Sequence, residues 1–202
     1  DDWFALTGQV IASQQHTIFA VINDNGGEGT RNLFGNWDGS KGNFHTSVFL
    51  GTATGASGQR KIRFTDAFAN EPFNIRLSVP REHFVLTAVV ESDNARIFQN
   101  LTQIANKGTT IGSRNLSTSW VVGRQGTLNG EYWNGDLAEL LVYETALNAA
   151  DRDRVWRYLG RKYAITQLNR PLKPLDRDQA HRLALIQMCR VIFNLNEFVY
   201  LN

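Results

Sequence analysis

Apolar residues recur at every second position in several stretches of residues 1–146, and at helical spacing after residue 147. Glycine respects the same boundary, with 16 of 17 ahead of it. In the first part, Phe73, Ile75, Leu77 and Val79 alternate with Asn74, Arg76 and Ser78 until Pro80 stops the run. Phe44, Thr46, Val48 and Leu50 repeat the pattern, and Ile62 and Phe64 alternate with Lys61 and Arg63. Side chains of a strand alternate between its two faces, so such runs predict sheets with one face half in water. Two stretches, Thr17–Ile22 and Phe84–Val90, are apolar at nearly every position. They are expected as central strands covered on both sides.

Turn chemistry separates the runs at Asn25-Gly26-Gly27, Asp38-Gly39, Asn129-Gly130 and Asn134-Gly135, and Val89–Phe98 reads as a hairpin over Ser92-Asp93-Asn94. Many short strands without helical periodicity predict a mainly β chain, an antiparallel jelly-roll β-sandwich, carrying a C-terminal helical extension. Asn148 is placed to cap a helix over 148–163, with Asp151 as its capping-box-like partner. Leu147, Val155, Leu159 and Tyr163 form its apolar stripe, while Arg152, Arg154, Arg157 and Arg161 lie elsewhere. After Arg170-Pro171-Leu172-Lys173-Pro174, Asp176 and Gln179 open a second helix whose stripe runs from Ala180 to Ile192.

Charge divides at the same place. Residues 1–146 hold 11 Lys/Arg against 14 Asp/Glu, and residues 147–202 hold 10 against 5. The basic segment reads as solvated helix faces rather than a nucleic-acid surface, because acidic residues are interspersed. No apolar run approaches the ~18 residues of a membrane span. The single Cys189 excludes an internal disulfide and Cys-x-x-Cys metal sites within these residues. The opening Asp1-Asp2-Trp3 has no signal-peptide pattern, so the chain is expected to begin inside a longer precursor.

The segment from Trp120 through Gly123-Arg-Gln-Gly126, Glu131-Tyr-Trp-Asn-Gly-Asp136 and Glu139 to Tyr143 and Leu147, then Val155, Tyr158-Leu159 and Lys162-Tyr163, resembles the last strands and closing helix of laminin-G-like domains. These belong to the concanavalin A-like lectin/glucanase superfamily. Thr17–Ile22 resembles that family's early core strand and Phe84–Asn100 its hairpin, although Asn100-Leu101 stands where Asn-Gly is frequent. The resemblance covers about residues 1–165 and implies a missing first strand ahead of Asp1-Asp2-Trp3. Residues 175–202 are similar to the end of a planctomycete-type cytochrome-associated domain of unknown function. Together they imply an exported, multidomain parent at the cell surface, outside the cell or in the periplasm. The division expected is a sandwich over 1–165, a proline-containing connector over 166–175 and a helical tail over 176–202.

No catalytic constellation emerges. A sandwich glucanase needs two carboxylates on one strand face, ~5–5.5 Å apart for retention. Asp136 and Glu139 are the best candidates, but they stand three apart and are expected on opposite faces. His16, His45, His83 and His181 are scattered without ligand spacing, and Gly-x-Ser-x-Gly is absent. No cofactor or metal is expected. Asp24-Asn25, Asp38 and Asp93-Asn94 offer oxygen ligands for calcium, which some laminin-G-like domains hold, but none forms an Asp-x-Asp-x-Asp-Gly loop and turn-making is the favoured reading of each. Trp37 with Asp38, and Trp133 with Asn134, sit at loop edges. An indole beside amide and carboxylate groups suits sugar recognition, although core packing is weighed ahead of it for each ring. The expected function is non-catalytic recognition of a glycan or a protein surface, alongside neighbouring domains of the parent. The rivals are a structural spacer and a glycosidase of the same fold.

Overall fold

The computed structural model describes residues 2–36, 48–54, 60–65, 73–76, 82–92, 94–108, 115–117, 119–126 and 130–168. These all belong to one compact unit, Asp1–Asn169. The expected tail over 176–202, the strand start at Phe44 and the continuation to Val79 lie outside the described residues.

Two antiparallel sheets form the sandwich. In chain order the strands are β1 (Phe4–Leu6), β2 (His16–Asp24), β3 (Thr30–Gly35), β4 (Phe49–Thr54), β5 (Arg60–Thr65) and β6 (Phe73–Arg76). They continue with β7 (Phe84–Val90), β8 (Asn94–Gln99), β9 (Thr102–Gly108), β10 (Trp120–Val122) and β11 (Gly135–Tyr143). One sheet has the order β1-β10-β3-β4-β5-β6 and the other β11-β2-β7-β8-β9. Both continuous apolar runs are inner strands of the second sheet. In β2, Ile18, Ala20 and Ile22 face the first sheet, and in β7 Phe84, Leu86, Ala88 and Val90 do so. Phe34, Leu50, Ile62, Phe64 and Trp120 meet them from the other side. Trp120 stacks on Phe34 at 5.1 Å between ring centroids and donates its indole N–H to the Leu116 carbonyl at 3.1 Å.

The alternate residues of β2 and β7 build a second core. Phe19, Val21, Val85 and Val89 are covered by helix α1 (Ala149–Lys162), through Trp156 and Leu159, and by the turn Thr166–Leu168, through Leu168. That turn occupies the start of the segment expected as a connector. Asn148 caps α1: its Oδ1 accepts from the Ala150 and Asp151 amides at 2.9 and 3.0 Å. Asp151 replies to the Asn148 side-chain amide at 2.7 Å rather than to its backbone N–H, so the capping box is closed through side chains. Asn148→Ala is expected to cost about 1 kcal/mol, read as a lower urea midpoint with an unchanged folded-state spectrum.

The helix face differs from the expected stripe. Val155 and Tyr163 are only half-buried, whereas Trp156 and Arg152 are 7% and 6% exposed. Residues 152, 156, 159 and 163 share one side at 3.6-residue spacing. An arginine belongs there because its plane can lie over an aromatic ring while its N–H groups reach a carbonyl. Arg152 does both, standing 5.0 Å from the Phe98 centroid and donating to the Leu147 carbonyl at 2.6 Å.

The β8–β9 hairpin turns on Asn100 and Leu101, with Asn100 at φ 52°. Asparagine tolerates this left-handed conformation, so Gly is dispensable. Its side chain also accepts from the Val85 amide at 2.9 Å and tethers the turn to Gln167.

Candidate functional site

Residues 123–126 leave β10 and residues 130–134 lead into β11, and these two arms are tied together at their base. The Gly123 amide donates to the Leu33 carbonyl and the Trp133 amide to the Gly123 carbonyl, both at 2.8 Å. Gly123 lies at φ 89°, and a Cβ there would come within 2.7 Å of the Asp2 carbonyl oxygen. Only glycine passes at that point. Buried Asn32 of β3 grips both arms of the loop: its backbone amide donates to Glu131 at 2.8 Å and its side-chain amide to the Arg124 carbonyl at 2.5 Å.

Beyond the loop, Asn134 ties on the turn that ends β2. Its carbonyl accepts from the Asn25 amide at 3.0 Å, and its side-chain amide donates to the Gly26 carbonyl at 2.7 Å. Asp24 Oδ1 accepts from the Gly26 amide at 2.9 Å, the Asx-turn use of an aspartate. Among the described residues no group of three or more His, Cys, Asp or Glu side chains is placed to hold a metal ion.

Of the four residues expected to bind ligand, Trp37 and Asp38 lie outside the described residues. Asn134 is exposed on the rim. Trp133 is half-buried and packs against the main core, and its indole Nε1 is buried without a hydrogen-bond partner among the described residues. Two features escaped the sequence reading. A Cβ at Gly27 would come within 3.3 Å of Asn134 Nδ2 and 3.6 Å of Arg31 Nη2, so Arg31 shares the rim with Asn134. The exposed aromatic surface nearest the loop is Trp3, 37% exposed, and Phe4, 65% exposed, with the Arg124 guanidinium 3.3 Å from the Trp3 ring centroid. Stacking of this kind fixes a cation at the surface. Trp3 stood out in the sequence only as a landmark of the N-terminal pattern.

Asp136 and Glu139, expected on opposite faces of their strand, share one face. β11 pairs Asp136 with Asn23 and Leu137 with Ile22, but Glu139 with Val21, so Ala138 is an extra residue in a bulge. Asn23 and Val21 share a face, and therefore Asp136 and Glu139 do too. Their surroundings still differ. Asp136 accepts from the Asn23 side chain at 3.3 Å and lies 3.8 Å from His83. Glu139 accepts from the Tyr158 hydroxyl at 3.0 Å and pairs with Lys162 at 3.3 Å. The hydrogen bond with Tyr158, then Glu139, holds the Lys162 ammonium well above the usual lysine range. The Tyr163 hydroxyl donates to the carbonyl of Ala138 at 3.1 Å, so the end of α1 is fastened on the bulge.

The two packed antiparallel sheets define a jelly-roll β-sandwich. Solved structures with this architecture include the native heptameric SAP-like pentraxin from Limulus polyphemus, with a TM-score of 0.56 and 17% identity over 72% of this chain and 71% of that one. The CBM40 of Ruminococcus gnavus IT-sialidase, solved bound to α2,3-sialyllactose, gives 0.54 and 18% over 75% and 94%. The NanB sialidase from Streptococcus pneumoniae gives 0.57 and 14% over 70% of this chain but 24% of that one. At these identities the likeness is one of fold. No protein-family model matches the chain, and no curated protein does.

Proposed function

We propose that this chain is a non-catalytic recognition module of the laminin-G-like type, part of a larger exported multidomain protein, binding a glycan or a protein surface at the loop rim. The observation that carries the proposal is the rim itself: Asn32 and Asn134 fix two loops beside Trp133, whose indole N–H has no partner among the described residues. A donor held without a partner favours a ligand that brings an acceptor, such as a sugar hydroxyl. The resemblance to a CBM40 solved with sialyllactose supports a carbohydrate ligand. Trp133 and Asn134 take the binding roles here, while Trp37 and Asp38, expected with them from the sequence, lie outside the described residues. Catalysis is the weaker reading, because Asp136 and Glu139, though on one face, are engaged by separate sets of side chains.

The test must separate binding from folding, since Trp133 also packs on the core. Trp133→Phe keeps an aromatic ring and removes the N–H. It is expected to leave the urea midpoint within about 1 kcal/mol of wild type and to weaken retention on a glycan panel severalfold. Unchanged retention by folded Trp133→Phe and Asn134→Ala variants would remove the site, and steady release of reducing ends by the wild type would overturn the non-catalytic reading. A wild type that retains no member of the panel and captures no protein ligand favours the spacer role.

A further inference from the structure

A second polar site lies under α1, on the outer face of the five-stranded sheet. Arg96 and Phe98 of β8 stand opposite Val89 and Thr87 of β7, on the side that α1 covers. The helix lowers Arg152 between Phe98 and Trp156, 5.0 and 5.9 Å from their ring centroids. Arg152 is more than nine-tenths buried, it donates to the Leu147 carbonyl, and its Nε is buried without a partner among the described residues. The carboxylate acting on it is Glu91, which Arg96 already holds. The Nε of Arg96 is likewise buried without a partner.

Among the described residues Arg152 has no ion-pair partner of its own, and Glu91 is held by Arg96, so the two guanidinium groups on this face of β8 stand against one carboxylate, a local charge of +1 (Arg96 and Arg152 against Glu91). The other cations of α1 with carboxylate partners are matched one to one: Arg154 with Asp151, Arg157 with Asp153 and Lys162 with Glu139. Burial first, and Arg96 second, push the Arg152 pKa down, against Glu91. A guanidinium nonetheless keeps its proton, so the excess charge persists. Water could satisfy the two orphaned N–H groups but could not balance that charge. The cluster opens to solvent beside Arg96 and Glu91, whose side chains are 23% and 33% exposed. Asn106 and Gln103 of β9, paired with Arg96 and Phe98, are exposed and uncharged next to it.

We propose that Arg96 and Arg152 form an oxyanion site, taking a carboxylate or sulfate group through the paired N–H edges of their guanidinium planes. Forked donors match two oxygens of such a group, and a ligand that binds only the folded state raises its melting temperature. The site does not depend on glycan binding at the loop rim.

Inorganic sulfate is the probe, titrated against chloride at equal ionic strength while the melting temperature is followed. The wild type is expected to show a saturable rise with sulfate alone. Arg96→Gln leaves Glu91 to balance Arg152, so its sulfate midpoint should move about tenfold higher or vanish. Glu91→Gln raises the local charge and should move the midpoint severalfold lower. Dextran sulfate against plain dextran distinguishes a group on a polysaccharide from a free ion. If Arg96→Gln fails to fold, the opposite shift in Glu91→Gln still carries the test. Equal sulfate responses in the wild type and every folded variant would overturn the proposal.

Discussion

Trp156→Ala is expected to lower stability by roughly 3–5 kcal/mol, the largest effect of any single change in α1. The indole is 7% exposed and packs edge-on against Phe98 with ring centroids 5.3 Å apart. Its N–H donates to the Thr87 hydroxyl at 2.9 Å, in the middle of β7. Truncation leaves a cavity between helix and sheet and removes the ring beside which Arg152 is buried. For a unit of this size the loss corresponds to a fall in melting temperature of about 10 °C or more. Leu159→Ala, losing a fully buried side chain from the same cluster, should cost about 2–5 kcal/mol. Urea midpoints for both variants equal to wild type would mean that α1 is not docked on the sheet.

Gly51→Ala is expected to cost about 3 kcal/mol or more, although it adds a single methyl group. Gly51 pairs with Asn32 beside the register shift in β3, and a Cβ there would overlap the Arg31 carbonyl oxygen. The obstruction is backbone, so no side-chain rotation relieves it. Because Asn32 also grips the two arms of segment 123–134, a surviving Gly51→Ala protein should lose ligand retention along with stability. A variant with unchanged urea midpoint would contradict the register of β3 against β4.

Sequence patterns read over a few residues predicted much of this architecture. Period-two alternation marked Ile62 and Phe64 as core positions, and the two apolar runs marked β2 and β7 as strands covered on both faces. Each such signal is local: it depends only on which side of a strand successive residues leave. The same holds for the start of α1, where Asn148 and Asp151 act within three residues of each other.

The site was less legible. Trp133 and Asn134 were marked by turn chemistry, but the residues that fix them, Asn32 and Gly26, lie about a hundred positions away. Arg31 and Trp3 gave no signal, since neither a neighbouring loop nor a stacked cation is written in their immediate sequence.

What the sequence by itself determined is the mainly β sandwich, its central strands and the capped helix that closes it, because hydrophobic periodicity and capping act between near neighbours. Three features were decided only by the tertiary structure. The extra residue at Ala138 turns Asp136 and Glu139 to one face, and Tyr163 of α1 anchors the bulge carbonyl. Arg152 is buried, against every expectation for an arginine in a basic helix, because Phe98 offers a ring below it. Gly51 sits hard against the backbone of its paired strand β3, beside a register shift, rather than in a turn. In each case the deciding partner comes from a segment remote in the chain, and its position exists only once the two sheets and the helix have packed.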